Sequence, residues 1–160
     1  MKKISVRATT ATAPTELSAF DRTLCKMGLG NANLIHLSSV VPKDFSVEVT
    51  ENKHTLDKNH QGDRMYVVYA DNRTSTVGDK VAAGLGWVLT DSDGGWGLFV
   101  EHVGETEDDV QELINKSLTS MMADRQEYEW GNIQSKIIST ACEKEPVCAL
   151  VLATYKREDW

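Results

Sequence analysis

The chain has 160 residues, 41% of them hydrophobic and 26% charged, with a formal net charge of -7. That length suits one compact domain over 1–160 and a real core, and the composition is that of a soluble globular protein. The acidic balance argues against nucleic acid or an anionic membrane as partner, no apolar run of about 18 residues is present to span a bilayer, and the alternating start "MKKISVRATT" is no apolar signal core, which leaves the cytoplasm as the expected location.

In chain order, "ISVRATT" alternates as a half-buried strand does. "PTELSAFDRTLCKMGLG" predicts a helix opened by Pro14 and closed by Gly28 and Gly30, with Leu17, Phe20, Leu24 and Met27 on one stripe and Asp21 at its edge. "NLIHLSSVV" predicts the next strand, with His36 alternating with Leu34 and Ser38; a solvent or interface position stands beside catalysis for that histidine. "KDFSVEV" leads into "TENKHTLDKNHQGDR", a solvated loop. Three strands follow in "MYVVYA", "VAAGLGWVLT" and "WGLFVEHVG", separated by "DNRTSTVGDK" and "DSDGG". A long helix begins at Thr106, with Val110, Leu113, Ile114, Leu118 and Met121 at helical spacing. "NIQSKIISTAC" and "VCALVLATYK" predict a closing strand pair joined by the turn "EKEP". Strands grouped with two amphipathic helices give an α+β class in which helices cover sheets.

Several features invite chemistry that their surroundings do not support. His54, Asp57 and His60 stand three apart, as metal ligands on a helix would, but in a segment too polar to anchor one. "GLGNAN" follows a helix rather than a strand, which is the wrong context for a dinucleotide turn, and "DSDGGWG" lacks the ligand series of a calcium loop. Cys25, Cys142 and Cys148 match neither a disulfide framework nor a zinc knuckle and are expected to be buried, reduced thiols. Glu101 differs from these. Alternation in "GLFVEHV" puts it between Phe99 and Val103 on one face, with Leu98, Val100 and His102 on the other. A carboxylate on an apolar face is either paired or holds a proton, and one that holds a proton can serve as a general acid.

The block "LSAFDRTLCKMGLGNANLIHLSSVVPKD" resembles that of pyruvoyl-dependent arginine decarboxylases: a helix carrying A-F-D, a G-x-G-N-x-N-L turn, then S-S and a proline. The resemblance continues through "GLFVEHVGET" and "MMADR" to the last strand. One proline rather than two follows the serines, and the loop from Thr50 to Arg64 is unlike its counterparts. The resemblance implies a four-layer αββα sandwich, self-cleaved between Ser38 and Ser39 into an N-terminal β subunit (1–38) and a C-terminal α subunit (39–160). In that chemistry the Ser39 hydroxyl attacks the Ser38 carbonyl, an ester replaces the amide, and elimination followed by hydrolysis converts Ser39 to a pyruvoyl group, with no metal and no pyridoxal phosphate. Asn33 is the implied donor to the oxyanion. The carbonyl so made is an electron sink for decarboxylating arginine to agmatine. Glu101 is implied as the acid, Asp21 as the partner of the guanidinium, and backbone near Leu17, Gly30 and Ala32 as the rest of the pocket. Homotrimers of cleaved protomers, or a hexamer built from them, would place sites between neighbours. Two other readings stand beside this one: a pyruvoyl decarboxylase for another amine-bearing acid, and a trimeric binding protein that never matures.

Overall fold

The computed structural model describes residues 1–91 and 94–160. Its elements in order are β1 (Lys2–Thr12), α1 (Glu16–Met27), β2 (Asn33–His36), β3 (Val40–Val41), β4 (Phe45–Val49), β5 (Arg64–Thr74), β6 (Lys80–Leu89), β7 (Gly97–Gly104), α2 (Glu107–Ala123), β8 (Gln134–Ala141) and β9 (Val147–Glu158). They form two sheets, one ordered β2-β5-β9-β1-β4 and the other β3-β7-β6-β8. The turn expected at "DSDGG" includes Ser92 and Asp93, which lie outside the described residues.

Burial along β9 explains the layering. Val147, Ala149, Val151 and Ala153 enter a cluster shared with Val81, Ala83, Leu85, Trp87 and Phe99 of the other sheet. The alternate residues Cys148, Leu150 and Leu152 lie under α1 with Ala19, Leu24 and Met27. A strand covered on both faces needs apolar residues at every position, which is why "VCALVLA" does not alternate. On the second sheet Ala82, Val88, Leu98 and Val100 pack against Val110, Ile114 and Leu118 of α2. The two helices and two sheets make an α+β fold compatible with an αββα sandwich. In β6, Gly84 and Gly86 let α2 settle closely: a Cβ at Gly86 would stand 2.2 Å from the Ile114 Cγ2, and one at Gly84 would stand 2.7 Å from the Val110 Cγ1.

Both helices begin at capping boxes. Thr15 accepts from the Ser18 amide and Thr106 from the Asp109 amide, each at helix position N3, whose side chain returns a bond to the cap. Glu107, Asp108 and Asp109 also face the positive end of the α2 dipole. Gly28 ends α1 at φ 82°, where a Cβ would also meet the His54 carbonyl oxygen at 2.0 Å.

Four expectations are corrected. The strand expected over residues 33–41 is broken into β2 and β3, which belong to different sheets. The closing strands β8 and β9 are not a pair: β8 joins β6, while β9 joins β1 and β5. A five-residue turn let β9 step across to the facing sheet instead of folding back beside β8. Leu17 leaves the apolar stripe and is 68% exposed. The buried arc of α1 runs through Ala19, Thr23, Leu24 and Met27, and Leu17 lies about 90° from its centre. Cys25 is exposed, unlike Cys142 and Cys148. Two smaller shifts accompany these. β5 runs on through Asp71–Thr74 because β9 offers partners that far. The polar loop after β4 is partly packed, with Leu56 against the α1 cluster and Asp63 buried beside Arg157.

Candidate active site

The break between β2 and β3 creates the first half of the candidate site. The Leu37 amide still donates to Val67 O in the first sheet at 2.8 Å, whereas Ser39 O accepts from the Phe99 amide of the second sheet, also at 2.8 Å. The chain therefore crosses between sheets at Ser38-Ser39. Ser39 makes the crossing at φ 72°; among the described residues only Asp44 is another non-glycine with positive φ. This backbone conformation costs a residue with a Cβ about 1–2 kcal/mol.

Glu101 meets Ser39 at this crossing. Period-2 alternation along β7 sends Phe99 into the core between the sheets and Leu98 and Val100 under α2, as expected. Two residues beyond Phe99, Glu101 reaches the edge of the sandwich with its side chain 27% exposed. There the Ser39 hydroxyl donates to Glu101 Oε1. The Nε2 atom of His36 lies 3.4 Å from the same oxygen. The histidine ring is stacked on Tyr69, with centroids 4.5 Å apart. On the far side of the serine, the Tyr155 hydroxyl donates to Val40 O at 3.2 Å. Burial, and next the Glu101 charge, push the Tyr155 phenol well up, so it remains a donor. His36, Tyr69, Asp71, Glu101, His102 and Val103 line the open pocket between the sheet edges. His102 faces away toward α2, where Nε2 lies 2.7 Å from Ser117 Oγ, and burial lowers its pKa.

The remaining candidates gather elsewhere. Leu17, Asp21 and Cys25 are exposed at one-turn intervals along α1, and the Cys25 thiol donates to Asp21 Oδ2 at 3.8 Å. Partial burial, then the Asp21 carboxylate, raises the Cys25 pKa. A Cβ at Gly30 would lie 2.4 Å from the Cys25 sulfur, so the glycine lets the loop close onto this helix face. Ala32 packs at the margin of the α1 cluster. Asn33 opens β2, and its amide donates to Gly62 O at 2.6 Å. Extended chain separates Asn33 from Leu37 by about 13 Å, so the fold does not bring this amide to the serine pair of its own chain. His54, Asp57 and His60 lie in the loop, and the described residues include no group of three or more acidic, histidine or cysteine side chains arranged to hold a metal.

Sequence reasoning left His36 open and did not single out Tyr69 or Tyr155. His36 alone had a local signal, since it shares a short segment with the serines. The tyrosines arrive from strands far along the chain.

Comparison with known proteins now bears on this geometry. The sequence model of the family "Pyruvoyl-dependent arginine decarboxylase" matches residues 3–159. The chain belongs to this family. Among proteins named pyruvoyl-dependent arginine decarboxylase, it is 32% identical to one from Halobacterium salinarum, over 99% of this chain and 97% of the relative. It is 30% identical to that of Thermococcus kodakarensis over 94% and 92% of the two chains. With that of Pyrococcus abyssi the identity is 37%, over 72% of this chain and 70% of the relative. The family model's match takes in both helices and reaches all nine strands among the described residues. No described helix is long and apolar enough to cross a membrane.

Proposed function

We propose that the chain is the precursor of a pyruvoyl-dependent decarboxylase that cleaves itself between Ser38 and Ser39 and converts arginine to agmatine and carbon dioxide. The observation that carries this reading is the Ser39 hydroxyl held on the Glu101 carboxylate, at a positive φ, where the chain changes sheets. A serine hydroxyl is a weak nucleophile until a base takes its proton, and Glu101 is in contact to do so. Attack on the adjoining Ser38 carbonyl carbon closes a five-membered ring and moves the acyl group from nitrogen to oxygen. The strained dihedral gives Ser39 a backbone conformation that cleavage releases.

The residues present suit a pyruvoyl group at position 39: the parent serine is partly buried, its hydroxyl meets a carboxylate, and Tyr155 secures the next carbonyl. When formed, that group supplies an electrophilic carbonyl that takes up a substrate amine and draws electrons from the carbon losing carbon dioxide. Glu101 then delivers a proton to that carbon of the substrate. Asp21 offers a guanidinium two parallel charge-assisted hydrogen bonds, while Leu17, Gly30 and Ala32 shape the surface around it.

These two sets of residues are separate within one protomer, which supports a site assembled between copies, as in a homotrimer. The exposed face with Leu17 and Asp21 of one copy would close the open pocket of another, and Asn33 would meet the Ser38 carbonyl across the same contact. The test is the intact mass of the denatured protein. Fragments corresponding to residues 1–38 and 39–160, with no amine at the start of the longer one, are expected from the parent, and Ser39→Ala stays whole. Cleavage at another bond, or processing of Ser39→Ala, overturns the proposal.

A further inference from the structure

One atom in the pocket serves two neighbours. Glu101 Oε1 accepts from the Ser39 hydroxyl and lies 3.4 Å from His36 Nε2. We propose that His36 is the proton-accepting partner of Glu101 during self-cleavage, forming a Ser39–Glu101–His36 relay; this rests on the cleavage reading above.

The chemistry assigns the relay a direction. A carboxylate is a weak base for an alcohol, and a proton left on Glu101 is readily returned to Ser39. An imidazole is in general a stronger base than a carboxylate. As the Ser39 Oγ–H bond breaks and the Oγ–C bond to Ser38 forms, the carbonyl electrons move to the oxyanion and the proton passes to Oε1. From Oε1 it passes to Nε2, leaving glutamate and imidazolium as an ion pair. When the Ser38–Ser39 C–N bond breaks, the same proton returns through Glu101 to the departing nitrogen. Protons balance over the whole shift, and no outside reagent is consumed.

The other titratable groups around the pocket are engaged elsewhere. Asp71 is paired with Arg73 at 2.6 Å, His102 lies beside Ser117, and the Tyr155 hydroxyl donates to Val40 O. Tyr69 offers the histidine a ring face rather than its hydroxyl. That stack holds the imidazole plane on the Glu101 side of β2. In a protomer by itself the His36 side chain is 45% exposed, so a small solute can reach it before copies assemble.

This exposure permits a test by replacement and rescue. Precursors made by cell-free synthesis are followed by intact mass over time, beside the parent and Ser39→Ala. His36→Phe keeps a ring against Tyr69 and His36→Gln keeps a polar side chain, but neither takes a proton. Both are expected to process at least about tenfold more slowly than the parent. His36→Ala should be equally slow and should accelerate with added imidazole, while Ser39→Ala should not respond. Thermal unfolding of each precursor separates a lost relay from a lost fold. His36→Phe processing at the parent rate overturns the relay, as does a folded His36→Ala that imidazole fails to accelerate. A parent chain that never cleaves overturns the cleavage reading instead, so the two failures are distinguishable.

Discussion

The crossing at Ser39 and the outer face of α1 hold their functional groups in opposite ways. At the crossing, a strained serine, a carboxylate and an imidazole are drawn from two sheets and contact one another, with Tyr155 securing the next residue. Along α1, Leu17, Asp21 and Cys25 are exposed, and among the described residues the Asp21 carboxylate accepts a single long bond, from the Cys25 thiol. A group that acts on its own chain needs partners fixed before the reaction begins. A group that recognises a diffusing cation keeps its charge unspent until the ligand arrives. Under the proposed function, the contrast would separate self-processing, complete within one protomer except for the oxyanion donor, from substrate recognition, which would need a second surface.

Breaking the crossing should have the largest effect. Glu101→Gln keeps the shape and the contact with Ser39 but cannot take or deliver the proton, so arginine turnover is expected to fall by about 10²- to 10⁴-fold. Its precursor should also process slowly, and intact mass separates that loss from turnover by matured protein. Parent rates in both assays would make Glu101 a structural carboxylate and dissolve the distinction between the two regions.

The α1 face should fail in only one assay. Asp21→Asn preserves the helix and removes the charge that offsets a guanidinium, so kcat/KM for arginine should drop about tenfold or more, through the loss of a charge pair desolvated in the assembled site. Cleavage should proceed at the parent rate. Slow cleavage of Asp21→Asn, or an unchanged kcat/KM, would show that the regions are not divided in this way.

The smallest effect concerns the loop that backs α1. The His54 amide donates to Met27 O, and burial, then Arg7 and Arg157, lowers the imidazole pKa. Because the folded pKa lies below the unfolded value of about 6.5, the unfolded chain takes up the proton first as pH falls. The stability this neutral histidine supports is whole above that value and declines below it, toward the folded pKa. Urea unfolding at pH 7.5 and 5.5 should show a loss in the parent that is smaller in His54→Gln. Equal losses would remove His54 as a source of acid sensitivity, leaving His102, which shifts in the same direction.

Much of this protein was determined by residues acting over a few positions. Thr15 and Thr106 begin helices because their hydroxyls reach amides three residues on, and Gly28 ends one because a left-handed turn suits a residue without a Cβ. Period-2 alternation sufficed to put Glu101 on the Phe99 face, and the serine pair with its flanking block carried the family resemblance. Sheet membership was a different matter. Nothing in "NLIHLSSVV" marks where a strand leaves one sheet for another, and both β8 and β9 satisfy strand patterning whether or not they pair. Partner choice depends on which apolar faces the rest of the chain leaves uncovered. The same holds for the pocket. Ser39 meets Glu101 across 62 positions and Tyr155 meets Val40 across 115. Contacts at such separation form only as the sheets stack, so His36 acquired its two neighbours, Tyr69 and Glu101, from tertiary structure alone.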